Sequence, residues 1–211
     1  PNFINLWDGS DFTLFFFGTS HVNIANTLSE SAARPPHRPA VFHATGRRSG
    51  GRALYSSMTF SRLNALCDVY ARELADRGVV RGARTLVMVR PGADFIALVF
   101  ALFRLGAVPV LIDPGMGLRG FLRCVRTVEP RAFCGIPLAQ ALRRVCRRTF
   151  ASVHVSFNLD AATRQRMLRR LDEPGAPPVE PAAPDDDDLA GILFTTGSTG
   201  QIGRASCRER V

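Results

Sequence analysis

Residues 189–200, Leu-Ala-Gly-Ile-Leu-Phe-Thr-Thr-Gly-Ser-Thr-Gly, decide how the rest of this chain is interpreted. The apolar residues 192–194 predict a buried strand, which opens directly into a loop of glycines and hydroxyl side chains. Glycine lets the backbone approach an anion closely and turn its N–H groups inward, and hydroxyls add uncharged donors. This chemistry predicts a phosphate-binding loop made of Thr195, Thr196, Gly197, Ser198, Thr199 and Gly200.

Two alternatives bear on this loop. A segment rich in glycine, serine and threonine is often only a flexible connection without a ligand. A Walker A loop is excluded, because that motif requires a lysine and the chain contains none. The position of the loop within the fold therefore has to decide between a phosphate site and a simple connection.

Composition predicts a folded protein and argues against a nucleic-acid-binding one. The chain has 211 residues, of which 46% are hydrophobic, and a net charge of +9. All 27 basic residues are arginines scattered between apolar positions of predicted helices, so we expect solvated helix faces. No aromatic–basic interleaving is present. Residues 172–200 carry seven acidic side chains and no arginine, so the basic excess lies in residues 1–171, where it weakly favours anionic ligands or surfaces.

The five cysteines predict a reducing environment rather than a disulfide or metal framework. They form no C-x-x-C pair and no metal-ligand spacing. Four of them lie in apolar-periodic segments and are expected to be buried free thiols, which fits a cytoplasmic protein. No run approaches the roughly 20 apolar residues of a transmembrane segment, and we predict none. Residues 1–20 are aromatic-rich without a defensible period and stay unassigned.

Hydrophobic periodicity predicts alternating strands and helices along most of the chain. Thr59 is placed to N-cap a helix that Gly78 ends. The predicted helices are 22–34, 60–77, 94–105, 118–128 and 138–147, with a basic helical turn at 163–170. The predicted strands are 40–44 and 54–58, forming a hairpin, then 85–89, 108–112, 132–136, 153–157 and 192–194.

This alternation predicts an α/β fold with a mainly parallel sheet flanked by helices on both faces. In such sheets, ligands bind beyond the carboxyl ends of the strands. Two loops follow strand ends here, residues 113–117 and residues 195–200, which favours the phosphate interpretation. Gly115 and Gly117 are expected to form a tight turn between strand and helix rather than to contact a ligand.

The acidic and proline-rich residues 172–188 predict an extended surface loop. Its four consecutive carboxylates, Asp185–Asp188, are typical of a solvated loop, because adjacent residues do not converge on one ion without a specific backbone geometry. We therefore assign no metal-binding residue. No catalytic residue is assigned either.

Three segments, in this order, resemble motifs of the adenylate-forming superfamily of acyl-CoA synthetases, adenylation domains and luciferases. Residues 58–63, Met-Thr-Phe-Ser-Arg-Leu, resemble its first core motif. Residues 102–113, Leu-Phe-Arg-Leu-Gly-Ala-Val-Pro-Val-Leu-Ile-Asp, resemble the second, and residues 194–200 resemble the phosphate-binding loop. Residues 111–119 and 135–137 are similar to a subgroup that includes the β-lactone synthetases of olefin biosynthesis.

The resemblance implies ATP- and Mg²⁺-dependent adenylation of a long-chain fatty carboxylate. In the lactone-forming members of the family, a β-hydroxyl of the same fatty acid then displaces AMP and closes a β-lactone. It implies that Thr195, Thr196, Gly197, Ser198, Thr199 and Gly200 hold the ATP phosphates. Two alternatives stay open. One is a fatty acyl-CoA or acyl-AMP ligase that hands the acyl group to coenzyme A; the other is a non-catalytic nucleotide-binding module. The oligomeric state is not indicated.

The resemblance stops after Gly200, where the family has x-Pro-Lys-Gly and this chain has Gln-Ile-Gly-Arg. Residues 201–211 read as the in-frame translation of a common short-read sequencing adapter, so we expect them to be an artefact. Residues 21–200 are then an incomplete N-terminal portion of the adenylate-forming fold. Because the family's later motifs are missing, we expect this fragment by itself to be inactive.

Overall fold

The computed structural model describes residues 23–34, 38–47, 53–173, 177–183, 188–196 and 202–208. Its helices are α1 (Ile24–Ala33), α2 (Phe60–Asp76), α3 (Ala93–Arg104), α4 (Gly117–Val128), α5 (Pro137–Val145) and α6 (Ala161–Asp172). Its strands are β1 (Pro39–Arg47), β2 (Ala53–Thr59), β3 (Arg84–Met88), β4 (Val108–Ile112), β5 (Ala132–Gly135), β6 (Val155–Asn158), β7 (Leu189–Thr196) and β8 (Ile202–Arg208). A single 3₁₀ turn, Pro114–Met116, lies between β4 and α4.

The main sheet has six strands in the order β6-β5-β3-β4-β7-β8. All neighbouring pairs from β6 to β7 are parallel, and β8 adds an antiparallel edge. The strands β1 and β2 form a separate antiparallel hairpin. The predicted α/β fold with a mainly parallel sheet is confirmed.

Helices cover both faces of this sheet, because some of the helices that connect its parallel strands lie on one face and the others lie on the opposite face. One core cluster joins α2, α3 and Met167 of α6 to strand residues such as Val87 and Cys134. The other joins α4, Ala139 of α5 and Phe150 to Leu86, Phe133 and Ile192. Successive residues of a strand point to opposite faces, so one short strand supplies both clusters.

The local signals read from the sequence place α2 correctly. The Thr59 hydroxyl accepts the backbone N–H of Arg62 at 3.2 Å, which satisfies one of the free donors of the first turn. Gly78 follows the helix with φ +91°, in the left-handed region that favours glycine. Leu66, Tyr70 and Leu74 are fully buried along one helix face.

Two expectations differ from the structure in detail. Residues 163–170 were expected to form a helical turn, but α6 has twelve residues. Asp160 extends it, because its Oδ1 accepts the Thr163 N–H at 2.7 Å and caps the helix start. No strand was predicted beyond residue 194, whereas β7 reaches Thr196 and β8 follows. Residues 1–22 lie outside the described residues.

Arg104 contradicts the expectation that the arginines occupy solvated faces. It ends α3 with 1% of its surface exposed. One of its terminal nitrogens, Nη1, donates to Asp68, while Nη2 donates to Asn64 and, at 3.2 Å, to the Ser29 hydroxyl. Partners from α1 and α2 make this burial tolerable, since a buried charge needs a counter-charge and hydrogen bonds.

The same cluster holds the acidic, proline-rich segment against the helices. The Val179 N–H donates to Asp68 Oδ1 at 2.8 Å, and the Ala182 N–H donates to the Arg104 carbonyl at 2.7 Å. The Asn23 amide donates to the carbonyls of Phe103 and Ala182. Residues 177–183 thus run as an extended segment whose backbone is fixed at several points before β7 begins.

Four of the cysteines are free thiols, with Cys67, Cys124 and Cys134 buried and Cys146 half-buried. Burial raises the pKa of both Cys67 and Cys134 to about 12, so these thiols stay protonated and unreactive at neutral pH. Among the described residues, no helix has the length and apolar character needed to cross a membrane.

We predict that the variant Asp68→Asn lowers the free energy of unfolding by roughly 3–5 kcal/mol, because it leaves the buried Arg104 cation without a counter-charge. Urea denaturation followed by circular dichroism measures the change. Asp172→Asn is the matched control, since its pair with Arg62 at 3.3 Å is exposed and should change stability by less than about 1 kcal/mol. Equal effects of the two variants would contradict a charge-dependent core.

Candidate functional site

The candidate site lies at the carboxyl edge of the sheet, where β4 and β7 lie side by side. Their parallel register pairs Val110 with Ile192 and Ile112 with Phe194. Just beyond the strands, the Asp113 N–H donates to the Phe194 carbonyl at 3.0 Å. The turn that begins at Asp113 and the end of β7, from which the predicted phosphate-binding segment continues, therefore lie next to each other.

The loop after β4 is a tight turn, as expected. Asp113 Oδ1 accepts the Gly115 N–H at 2.8 Å, and the Asp113 carbonyl accepts the Met116 N–H at 3.2 Å. Gly117 begins α4 with φ +67°, a conformation in which a side chain is strained. These contacts fix the position at which α4 starts beside the end of β7.

The structure locates the predicted phosphate-binding residues only in part. The backbone of Thr195 and Thr196 ends β7, where the two residues lie opposite Gly203 and Ile202 of β8. Gly197, Ser198, Thr199 and Gly200 lie outside the described residues. Their phosphate-binding role stays a prediction, now with a defined starting point at the carboxyl edge of the sheet.

A third loop borders the same edge, after β5. The Ile136 N–H donates to the Met88 carbonyl of β3 at 3.1 Å, and Pro137 then starts α5. A Cβ at Gly135 would lie 2.7 Å from Phe133 Cε1 and 3.0 Å from Ala139 Cβ. Glycine is therefore required for α5 to pack this closely against the end of β5.

A buried tyrosine at this edge, expected in the core from its helical spacing, has polar partners that the sequence did not indicate. The Tyr70 hydroxyl donates to Asp94 Oδ1 at 2.9 Å, and Arg164 Nε lies 2.7 Å from Asp94 Oδ2. Burial, followed by the Asp94 charge and hydrogen bond, raises the pKa of Tyr70 above its ordinary value. This tyrosine stays protonated and joins α2, α3 and α6. Three residues so distant in sequence gave no signal in the sequence pattern.

By composition, residues 195–200 offer neutral hydrogen-bond donors rather than metal-binding side chains, and their role in phosphate binding stays a prediction. Glycine N–H groups and hydroxyls are neutral donors matched to anionic oxygens. In the described part of the chain, no three His, Cys, Asp or Glu side chains cluster as a metal site would require. Asp188, from the run of four aspartates, instead lies 2.5 Å from Arg81 in an ion pair.

Comparison with known proteins links this chain to one family of enzymes. A family model described as AMP-binding enzyme matches residues 28–201. The chain is 42% identical over 185 residues to the olefin β-lactone synthetase of Stenotrophomonas maltophilia strain K279a, which covers 84% of this chain and 33% of that protein. It is 26% identical over 178 residues to the fatty acid–acyl-carrier-protein ligase MmaC of Mycobacterium marinum, covering 84% and 32% respectively.

Solved structures agree on the fold. The long-chain-fatty-acid-CoA ligase FadD1 of Archaeoglobus fulgidus superposes with a TM-score of 0.72, covering 95% of this chain and 39% of that one at 17% identity. The chain spans about a third of the length of the curated relatives it matches. The chain thus has the same fold as the matching part of this ligase.

We predict that Gly135→Ala destabilises the protein by roughly 1–3 kcal/mol, because the new methyl group collides with the Phe133 ring and with Ala139. The matched control is Gly191→Ala in β7, where the nearest atom to an added Cβ is the Pro109 carbonyl oxygen at an ordinary 3.5 Å. Thermal unfolding of both variants measures the difference. If the Gly135→Ala variant unfolds at the same temperature as the control, the junction of β5 and α5 can accommodate a methyl group and the prediction is wrong.

Proposed function

Because the chain belongs to the AMP-binding enzyme family, we propose that its parent protein uses ATP to activate the carboxylate of a long-chain fatty acid. The products of this step are an acyl-adenylate and pyrophosphate. The observation that carries the proposal is the family match over residues 28–201, and the names of its fatty-acid-activating relatives support the substrate class. The proposed activity is that of a whole protein of this family, since this chain spans only about a third of the length of these relatives.

The proposed role of residues 195–200 follows from the charges involved. A carboxylate that attacks the α-phosphate of ATP approaches a group that is already negative, and the departing pyrophosphate carries further negative charge. Backbone N–H groups and hydroxyls preorganised around the β- and γ-phosphates offset that charge as it develops. Mg²⁺, when bound, neutralises the same oxygens. Thr195, Thr196, Gly197, Ser198, Thr199 and Gly200 are the residues to which we assign phosphate binding.

For the second step we favour closure of a β-lactone. The 42% identity to an olefin β-lactone synthetase supports this choice. In such a step the β-hydroxyl oxygen of the activated acid attacks its own acyl carbon and gives up its proton to solvent. A ring C–O bond forms, the bond between the acyl carbon and the phosphate oxygen breaks, and AMP leaves with that bond's electron pair. The alternative is transfer of the acyl group to coenzyme A or a carrier protein, which the similarity to a carrier-protein ligase supports.

We predict that the full-length protein, given ATP, Mg²⁺ and a 2-alkyl-3-hydroxy fatty acid, releases AMP and a β-lactone without coenzyme A. Mass spectrometry of the lipid extract detects the lactone, and the matched acid without its 3-hydroxyl is the control substrate. Product that forms only with coenzyme A would assign the protein to the ligases. Absence of ATP–pyrophosphate exchange with either acid would overturn adenylation itself.

We also propose that residues 201–211 do not belong to the natural protein and that the family's lysine follows in the true sequence. The family match ending at residue 201 supports this proposal. Re-sequencing the locus tests it. We expect codons for Thr-Gly-x-Pro-Lys-Gly in place of the adapter-like sequence, whereas continuous genomic reads encoding Arg-Ala-Ser-Cys would contradict it.

We infer a reducing, cytoplasmic compartment for the protein. Cys67, Cys124, Cys134 and Cys146 are free thiols, and the first three of them are buried. Free thiols persist where glutathione and thioredoxin keep them reduced. A tagged full-length protein recovered with its thiols reduced in the cytosolic fraction is the expected result.

A further inference from the structure

The outer surface of α4 and α5 carries a large excess of positive charge. Between Pro114 and His154 the sequence has eight arginines and one acidic residue, Glu129. Six of these arginines are exposed on α4, on α5 or on the turn after α5: Arg119, Arg123, Arg126, Arg144, Arg147 and Arg148. We call this surface the α4–α5 face. Both helices pack against the same side of the sheet, with Phe121 and Phe150 in contact beneath them.

The arginines of this face form no ion pair with another side chain in the described part of the chain. Among the described residues, no ion pair involves α4 or α5, whereas the opposite side of the sheet has several. Glu73 on α2, for example, pairs with Arg77 and Arg170, each at 2.6 Å. Arginines of the α4–α5 face instead contact neutral groups, as when Arg126 Nε donates to the Leu122 carbonyl at 3.3 Å. Their charge is available to an external anion.

Exposed apolar side chains lie among these arginines. Leu138 is 77% exposed and Val145 is 83% exposed. They are seven residues apart on α5 and therefore share one helix face, on which Ala141 also lies exposed. Leu118, at the start of α4, is 57% exposed. Three of the five large hydrophobic side chains most exposed in the described residues thus belong to this basic surface.

We propose that the α4–α5 face docks on the surface of an anionic lipid bilayer. Arginines would pair with the headgroup phosphates, while Leu138, Val145 and Leu118 would enter the boundary between headgroups and acyl chains. Basic charge combined with exposed aliphatic side chains on amphipathic helices is the pattern of interfacial membrane binding. The phosphates of a nucleic acid would neutralise the arginines but would leave these aliphatic side chains exposed to water. The proposal does not depend on the adenylation reaction.

The test is sedimentation of the full-length protein with vesicles of phosphatidylcholine alone or with about one third phosphatidylglycerol. We expect binding to the anionic vesicles only, weakened by high salt because the charges are exposed. The variant Arg144→Ala/Arg147→Ala/Arg148→Ala should bind roughly a hundredfold more weakly, at about fivefold for each arginine near the surface. Leu138→Ala/Val145→Ala should weaken binding by roughly tenfold at unchanged charge.

The control variant is Arg169→Ala on α6, an exposed arginine on the opposite side of the sheet. It should bind anionic vesicles like the unmodified protein. Circular dichroism verifies that every variant is folded. Failure of the folded full-length protein to bind anionic vesicles would overturn the proposal and would mean that the rest of the chain covers this face. Binding that loses nothing in the leucine–valine variant, or that a homopolymeric RNA competes away, would overturn it in favour of a purely electrostatic partner.

Discussion

The parallel pairing of β4 with β7 is the constraint on which the candidate site depends. It joins Val110 to Ile192 and Ile112 to Phe194, across three helices and two strands of intervening chain. Through this pairing the Asp113 turn and the end of β7 leave the sheet at the same edge, where the Asp113 N–H donates to the Phe194 carbonyl. Nothing nearby in sequence could bring these two loops together. Ordering so long a loop costs conformational entropy, which the shared core of Val110, Ile192 and Phe194 offsets.

Several hydrogen bonds fix the path of the chain just before β7 and so position this strand for pairing with β4. After α6 the chain must return across the whole sheet, and residues 177–183 make that return as an extended segment. Asp68 and Arg104, buried between α2 and α3, bind its backbone at Val179 and Ala182. The cluster that makes Arg104 tolerable in the core therefore also guides the chain toward β7. Fold stability and the position of the proposed phosphate loop depend on the same buried charges.

Much of this arrangement could be predicted from the sequence because its signals are local. Alternating apolar periods gave the strands and helices, Thr59 and Gly78 bounded α2, and the short turn after Ile112 followed from its glycines. The misses have a common physical cause. In the sequence Arg104 has the pattern of a surface arginine, because its partners Asp68 and Asn64 lie 36 and 40 residues away along the chain. The hydrogen bond of Tyr70 to Asp94 likewise spans 24 residues. The contrast between the α4–α5 arginines, which form no ion pair with the described residues, and the paired arginines of the other face likewise needs the three-dimensional structure.

The proposed function requires residues 195–200 to hold the phosphates of ATP. The most direct measurement is a crystal structure of the full-length protein with Mg²⁺ and a non-hydrolysable ATP analogue. We expect the β- and γ-phosphate oxygens to lie within hydrogen-bond distance of the backbone N–H groups and hydroxyls of residues 195–200, beside the Asp113 turn. A nucleotide bound elsewhere, with that loop making no phosphate contact, would contradict it.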